Sequence, residues 1–413
     1  MYPAAYAYIS FQSEVNKIKS LTKKDKVVFE QSYDGRKILL MALFEKGELR
    51  DDIRHLLQCA KQQGAYVLCI NTLKINAPEK HSDFIDCYIE KYNFGRDFGS
   101  YQSAFSYIYK NGLAESCPRL LMLNDSIFYD KAKCDRFIGD MFSSPCEALG
   151  GTENFEIEHH LGSFCIAFAG SVIRAQRFRD YWKAYKCSDV RPLVIKRGEM
   201  ALSNVLKKCV SSPDNFRALY DITRTAMHLK EHPEVLDQLS TLSRADENPE
   251  FKSFSFSAVT AKIASKYLHN STHLIGLESI TAEIDDVSSL GVFYAYSLPE
   301  YFDFIEKSIS VRGNVSGTLM SSIREEVTFL FLDFFIKGSQ IHQNGIFLHK
   351  IGLPIIKLDG LYRGAFCVRD VEVIANELGR DDAESFRRIM YSRPYGRNTL
   401  FGWKRAAFER GLI

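Results

Sequence analysis

The chain has 413 residues, of which 46% are hydrophobic and 25% charged, and its net charge is +2. This composition is typical of a globular protein and excludes a disordered chain. Nucleic-acid binders usually carry a strong basic excess, so no nucleic-acid partner is expected. No run approaches the roughly 20 apolar residues that span a bilayer, so any membrane association would be peripheral.

The ten cysteines are scattered singly along the chain. They form no Cys-x-x-Cys pair, and the first residues lack the basic flank and the length of a secretory leader. We therefore predict a cytoplasmic protein with reduced cysteines, used as small apolar residues rather than in disulfides or a structural zinc site.

The first part of the chain alternates between strand and helix patterns. Continuous apolar runs that predict buried strands occupy residues 37–46, 65–70, 87–92 and 119–124. Helical spacing of apolar residues occupies residues 51–63 and 98–109. Alternation of this kind predicts a Rossmann-type α/β fold with a mostly parallel sheet and right-handed crossovers.

Later elements are of a different kind. A fifth strand at residues 161–169 is expected to be antiparallel or to lie at an edge, and helices are predicted at 174–185 and 198–208. Strand patterns then become rare, and helical patterns occupy residues 258–268, 299–309, 320–336 and 371–378. We predict an α/β catalytic domain over residues 1–240 and a mostly helical domain over residues 241–413.

Polar side chains gather at two points of the predicted sheet. One group lies in the glycine-containing turn before the 98–109 helix and consists of Asn93, Gly95, Arg96 and Asp97. The other follows the 119–124 strand directly and consists of Asn124, Asp125 and Ser126. Because ligands of open α/β sheets bind at the carboxyl ends of strands, these residues predict a binding site.

These two segments, in this order and spacing, resemble the rhamnan synthesis protein F family of bacterial polysaccharide glycosyltransferases. They are also similar to a variant of the GT-A layout, in which such a helix precedes a strand ending in an Asp-x-Asp-type motif. Four further segments are similar to parts of that family, namely those containing His160 and Ser163, Glu199, His342, and Lys357. The resemblance covers most of the chain, in patches.

The resemblance implies a GT-A-like enzyme that transfers a sugar from a nucleotide-sugar donor to a growing surface polysaccharide. It implies rhamnose from dTDP-rhamnose, and an oligosaccharide or lipid-linked acceptor at the inner membrane face. One alternative is a transferase for another UDP- or GDP-sugar. The other is a non-catalytic glycan-binding or scaffold subunit of a polysaccharide synthase complex.

Asp125 is the candidate for chemistry near the donor pyrophosphate. With Asn124 and water it would suit Mg²⁺ or Mn²⁺, which prefer hard oxygen ligands. Asn-Asp-Ser stands where the usual motif has two aspartates, so metal dependence is expected to be weak or absent. The alternative is a plain turn in which these side chains bond their own backbone.

Glu199 is the candidate general base, because an inverting transfer needs a carboxylate that takes the acceptor proton. The alternative is that it stabilises the dipole of a helix starting at Gly198. Arg96 is assigned to phosphate, and Asp97 to the base, ribose or sugar hydroxyls; Asp97 as a helix cap is the alternative.

The remaining candidates are contacts to the donor or acceptor. His160 and Ser163 are assigned to the donor or substrate rather than to a metal, since adjacent histidines on a strand face opposite sides. His342 and Lys357 are assigned to phosphate or acceptor, with ordinary helix-surface roles as the alternative.

Overall fold

The computed structural model describes residues 2–242, 254–256, 258–260, 262, 263, 266, 297–310, 317–393 and 395–413. The chain forms two compact units, Met1–Asp221 with Gly352–Ile413, and Ile222–Ile351. These units do not follow the predicted boundary at residue 240, because the segment from Gly352 onward belongs with the first unit.

All strands of the described chain lie in the first unit. They are β1 Lys26–Glu30, β2 Ile38–Leu43, β3 Tyr66–Asn71, β4 Cys87–Glu90, β5 Arg119–Asn124, β6 Ile127–Tyr129, β7 Ala148–Gly150, β8 Glu153–Asn154, β9 His160–Leu161, β10 Cys165–Ala169, β11 Phe216–Ala218 and β12 Ile355–Lys357.

Eight of these strands form one sheet, in the order β1-β4-β3-β2-β5-β10-β7-β11. The central strands β4, β3, β2 and β5 are parallel, whereas β1 and β10 run antiparallel to their neighbours. The predicted α/β class with a mostly parallel sheet is confirmed. Because β3 lies on one side of β2 and β5 on the other, the sheet has a switch point between the carboxyl ends of β2 and β5.

The helices before residue 222 belong to the first unit. They are α1 Tyr2–Leu21, α2 Asp51–Gln62, α3 Arg96–Lys110, α4 Leu113–Ser116, α5 Lys131–Ser143, α6 Gly170–Arg174, α7 Gln176–Ala184, α8 Arg191–Val194 and α9 Ala201–Cys209. A π-helical turn, Ile195–Met200, joins α8 to α9, and short 3₁₀ turns cover Pro78–His81 and Pro213–Asn215.

In its described part the second unit is helical. Its helices are α10 Ile222–Glu231, α11 Glu234–Ser240, α12 Leu298–Ser310, α13 Gly317–Phe335, α14 Gln340–Gln343 and α15 Gly345–Lys350. The chain then returns to the first unit with β12 and with α16 Gly360–Arg363, α17 Val368–Glu377, α18 Arg380–Tyr391, α19 Gly396–Thr399 and α20 Gly402–Glu409.

The core of the first unit follows the sequence patterns closely. All six residues of β2 are buried, as expected for an apolar run with neighbours on both faces. In α2, Ile53, Leu56, Leu57 and Ala60 are buried on one face, which is the stripe that helical spacing produces. The sheet is therefore a rigid support for the residues at its carboxyl edge.

Several predicted elements need correction. The 161–169 segment is two strands: β10 pairs antiparallel with β5, as predicted, while β9 pairs with β8. The predicted 174–185 helix is interrupted at Ala175, which is extended. The sequence patterns also missed α1, β1, β7, β11 and β12. Part of the predicted 258–268 helix lies outside the described residues.

Two further predictions concern the whole chain. All ten cysteines are free, and seven of them are buried, which agrees with their use as apolar residues. Within the described ranges, every helix is too short or too polar to cross a bilayer.

Candidate active site

The turn before α3 has an unusual backbone that sets the direction of Asp97. Gly95 has φ +90° and Arg96 has φ +51°, a conformation that a side chain rarely permits. A Cβ on Gly95 would also lie 2.9 Å from Cys187 Cβ. Asp189 fixes the turn, since its Oδ1 accepts from Gly95 N at 2.8 Å and its carbonyl accepts from Arg96 Nε at 2.9 Å.

Asp97 meets the end of β5 directly. Asn124 Nδ2 donates to Asp97 Oδ2 at 2.9 Å, while Asn124 Oδ1 accepts from Ser126 N at 3.2 Å and from Ser126 Oγ at 2.7 Å. Burial raises the pKa of Asp97, against the opposing charges of Lys357 and Arg96. The two polar segments of the sequence are thus in direct contact, and Asn124 also makes the local turn bonds of the alternative interpretation.

Asp125 is largely committed to the protein itself. It is 8% exposed, and its Oδ2 accepts a short hydrogen bond from the backbone N–H of Phe44, just beyond β2. Burial raises the pKa of Asp125 to about 7, although the Phe44 bond acts in the opposite direction. This carboxyl group therefore joins the ends of β2 and β5 across the switch point.

Arg50, which the sequence patterns did not single out, holds the turn that carries Asp125. Its guanidinium donates to Asp125 O at 3.1 Å and to Ile127 O at 2.7 Å. It also pairs with both carboxylate oxygens of Asp52 at 3.0 Å, and Asp52 accepts from Tyr129 N at 3.1 Å. The only sequence signal was a charged helix start, which is common on ordinary surfaces.

Glu199 lies inside a helix, so its predicted position at a helix N-terminus is wrong. The helix begins earlier, at Arg191, because Pro192 suits a first turn. It continues through the π-helical turn that contains Glu199, and such turns are frequent at functional sites. Gly198 is needed there, since a Cβ would lie 2.8 Å from the Phe98 ring.

Glu199 faces His160. Their Oε2 and Nε2 atoms are 3.7 Å apart, the Glu199 side chain is 29% exposed and that of His160 is 4% exposed. Burial opposes ionisation of both groups, but each is stabilised by the other, so the pKa of Glu199 is lowered and that of His160 is raised. His160 Nδ1 lies 2.8 Å from Glu158 O. The arrangement favours an ionised pair, with Ser163 further stabilising the Glu199 carboxylate.

β12 brings Lys357 to the same place. Its register pairs Lys357 with Ile127, two residues beyond Asp125. Lys357 Nζ lies 4.3 Å from the centre of the Phe164 ring. Burial lowers the pKa of Lys357, while the charges of Asp359, Glu199 and Asp97 act in the opposite direction. Lys357 therefore belongs among the carboxylates of the site.

The two remaining predicted residues are His342 and Asn93. His342 lies in the second unit, where its Nδ1 is 2.8 Å from Ser339 Oγ. Asn93 is exposed on the turn before α3. Sequence reasoning also missed Arg191 and Arg363. The charges of Arg363, Glu199 and Arg96 all act on Arg191, but nothing in the local sequence links the two arginines to the strand ends.

Several of the polar atoms around Asp125 are already occupied within the protein, which leaves few oxygens for a divalent cation. Asn124 Oδ1 already accepts two hydrogen bonds from Ser126, and one oxygen of Asp125 is bonded to Phe44 N. In the part of the chain that the structure describes, no three His, Cys, Asp or Glu side chains are grouped so that they could hold a metal ion. Mg²⁺ and Mn²⁺ prefer hard oxygen ligands, and any that bound here would depend mainly on substrate phosphates and water.

Comparisons with known proteins give partial matches. No protein-family model matches the chain. An uncharacterized protein, y4gN of Sinorhizobium fredii, is 23% identical over 181 residues, covering 41% of this chain and 47% of that protein. Virulence protein VirA of Vibrio anguillarum is 27% identical over 119 residues, covering 28% of this chain and 38% of that protein. The chain spans less than half the length of these curated relatives.

Among solved structures, the glycosyltransferase GlyE of Streptococcus pneumoniae TIGR4 is 10% identical, with a TM-score of 0.26. The match covers 47% of this chain and 50% of that one. A likeness this low supports no inference about the reaction. The fold class follows from the strand order of the chain itself, and the resemblance to rhamnan synthesis proteins stays a prediction.

Proposed function

We propose that this chain is a glycosyltransferase that moves a sugar from a nucleotide-sugar donor to a hydroxyl group of a glycan acceptor. The observation that carries the proposal is the meeting of Asp97, Glu199, His160 and Lys357 at the carboxyl edge of the sheet. Transfer from an anionic donor needs a carboxylate that takes the acceptor proton and cations that face the phosphates, and ligands of such sheets bind at the switch point.

Glu199 is proposed as the general base. Its lowered pKa, which results from His160 and Lys357 acting against burial, keeps the carboxylate ionised at neutral pH. As the acceptor oxygen attacks the anomeric carbon, Glu199 would take the hydroxyl proton, and the sugar–phosphate bond would break. Asp97, held by Asn124 Nδ2 at 2.9 Å, would bind ribose or sugar hydroxyls. Arg96 and Lys357 would face the phosphates.

The finer assignments rest on the family resemblance. It supports dTDP-rhamnose as donor and a growing bacterial surface polysaccharide, lipid-linked at the inner membrane face, as acceptor. UDP- or GDP-sugars are the alternative donors, because one or two side chains in a pocket decide between such substrates.

The test is a panel of nucleotide sugars with release of the nucleoside diphosphate as readout, with and without oligosaccharide acceptors. We expect turnover with at least one donor, and a fall of roughly 10²-fold or more in Glu199→Gln, the usual scale of general-base catalysis. Glu115→Gln is the matched control, since the Glu115 side chain is 64% exposed in an ion pair with Arg179.

Donor affinity separates the possible roles of Glu199. Calorimetry on the same preparation should show that Glu199→Gln binds donor as the wild type does. If affinity falls together with turnover, Glu199 is a donor contact and the base must be sought elsewhere, with Asp97 as the next candidate. If no nucleotide sugar is cleaved or transferred, the glycosyltransferase proposal is wrong and a glycan-binding subunit is favoured.

A further inference from the structure

Three cations at the site form no ion pair with a carboxylate in the part of the chain that the structure describes. Arg96 donates to Asp189 O at 2.9 Å, Arg191 Nη1 donates to Gly411 O at 3.4 Å, and Lys357 lies over the Phe164 ring. Among the described residues, none of the three has a carboxylate within ion-pair distance. Arg191 and Lys357 are half-buried, and cations in such places normally have a carboxylate partner, whereas Arg96 is exposed.

Separate contacts bring these cations to one region of the first unit. Asp189 anchors Arg96 and lies two residues before Arg191. Arg191 and Arg363 both reach the 411–413 segment, with Arg363 Nη2 donating to Ile413 O at 3.2 Å. Leu358 N donates to Ser126 O at 3.3 Å, which fixes Lys357 beside the turn after β5.

The electrostatics of the group agree with this placement. Burial, together with the like charges of Arg363 and Arg96, lowers the pKa of Arg191 to about 10, although Asp359 and Glu199 oppose that shift. Arg363 itself is paired, with its Nε 2.6 Å from Asp359 Oδ2. Clustered like charges repel one another, and a bound anion would relieve that repulsion.

We propose that Arg96, Arg191 and Lys357 form a binding site for the diphosphate of a nucleoside diphosphate, one that acts without a resident divalent cation. The inference rests on the proposed function, which supplies the class of ligand. Two guanidinium groups can each contact phosphate oxygens in bidentate fashion, and an ammonium group adds a third charge. Three cations would thus offset the charge that a metal ion usually offsets.

The experiment measures binding of uridine, thymidine and guanosine diphosphates and of inorganic pyrophosphate by calorimetry, in EDTA and in Mn²⁺. We expect at least one nucleoside diphosphate to bind in EDTA, and Arg191→Gln, Arg96→Gln and Lys357→Met each to weaken that binding about tenfold or more. Lys196→Gln is the matched control, because Lys196 is exposed in the π-helical turn that continues the helix of Arg191. Arg96 is exposed too, so Arg96→Gln keeps the test valid if a more buried variant fails to fold.

The outcomes separate this inference from the proposed function. Binding that requires Mn²⁺ and is unchanged in the three variants would overturn the inference and leave the glycosyltransferase proposal intact. Metal-free binding that is lost in the variants, without transfer from any nucleotide sugar, would support the inference and contradict the proposed reaction. If no nucleoside diphosphate binds to the wild type, both are overturned.

Discussion

The two acidic regions at the carboxyl edge of the sheet are built in opposite ways. At Asp125, a hydrogen bond from Phe44 N fixes the carboxyl group, and Arg50, paired with Asp52, fixes the turn that carries it. At Glu199, the carboxylate is partly exposed and lies 3.7 Å from His160, whose Nε2 makes no hydrogen bond within the described structure. The Asp125 region stabilises the fold. In the Glu199 region, His160 Nε2 is available to a substrate.

The largest expected effect is on the stability of the Asp125 region. Arg50→Met should lower the free energy of unfolding by about 3 kcal/mol or more, because it leaves Asp52 and two backbone carbonyls without their partner in a buried setting. Urea unfolding followed by circular dichroism measures this. Arg54→Met on the same helix is the control, with an expected loss under about 0.5 kcal/mol, since its ion pair with Asp51 is exposed. Equal losses in both variants would contradict the comparison.

Asp125→Asn should change how stability depends on pH. The pKa of Asp125 is raised in the folded state to about 7, so its contribution is fully present below the unfolded pKa of about 4 and is lost as pH rises through 7. Asn keeps an acceptor for Phe44 N but does not titrate. Between pH 4 and 8 the wild type should therefore lose roughly 3 to 4 kcal/mol more than the variant, since each unit of difference between the two pKa values corresponds to about 1.4 kcal/mol. Parallel curves of unfolding free energy against pH would refute this.

His160→Gln should act on the second region alone. The imidazolium helps to lower the pKa of Glu199, so its removal raises that pKa and moves the acidic limb of the pH–rate profile to higher pH. His159→Gln is the control, because His159 lies 3.6 Å from Glu153 rather than Glu199. An unshifted acidic limb in His160→Gln would show that the pair does not control turnover.

The smallest expected effect is that of chelation. If the cations of the chain offset the donor charge, EDTA should reduce transfer only modestly, as measured by product formation before and after dialysis. Complete loss of activity that Mn²⁺ restores would show that Asp125 acts as a metal ligand. The contrast between the Asp125 and Glu199 regions would then be wrong, because the Asp125 region would itself take part in the reaction.

The sequence predicted what local pattern determines. The β5 strand was predicted with its observed bounds, Arg119–Asn124, and the polar residues after it lie at the switch point because chain direction alone places strand ends. The same reasoning grouped Asp97 with Asn124, since both follow the carboxyl ends of parallel strands at one edge of the sheet, although β3 and β2 lie between β4 and β5.

What the sequence did not predict depends on distant contacts. Lys357 was a candidate, but its place beside β6 follows from the pairing of Ile355 with Tyr129, which no local pattern encodes. Arg191 and Arg363 were missed for the same reason. The π-helical turn at Glu199 depends on Gly198 packing against Phe98, so a helix start was the natural but wrong interpretation.

The late return of the chain to the first unit has a consequence for biosynthesis. β6 is made early, but its partner β12 follows only after the whole of Ile222–Ile351 has left the ribosome. A nascent chain can form the central parallel strands and still lack Lys357. Non-local pairing is slow, and incomplete sheets expose strand edges. We therefore expect ligand binding to appear only after β12 has been synthesised, so that binding can be used to measure completed folding of the first unit.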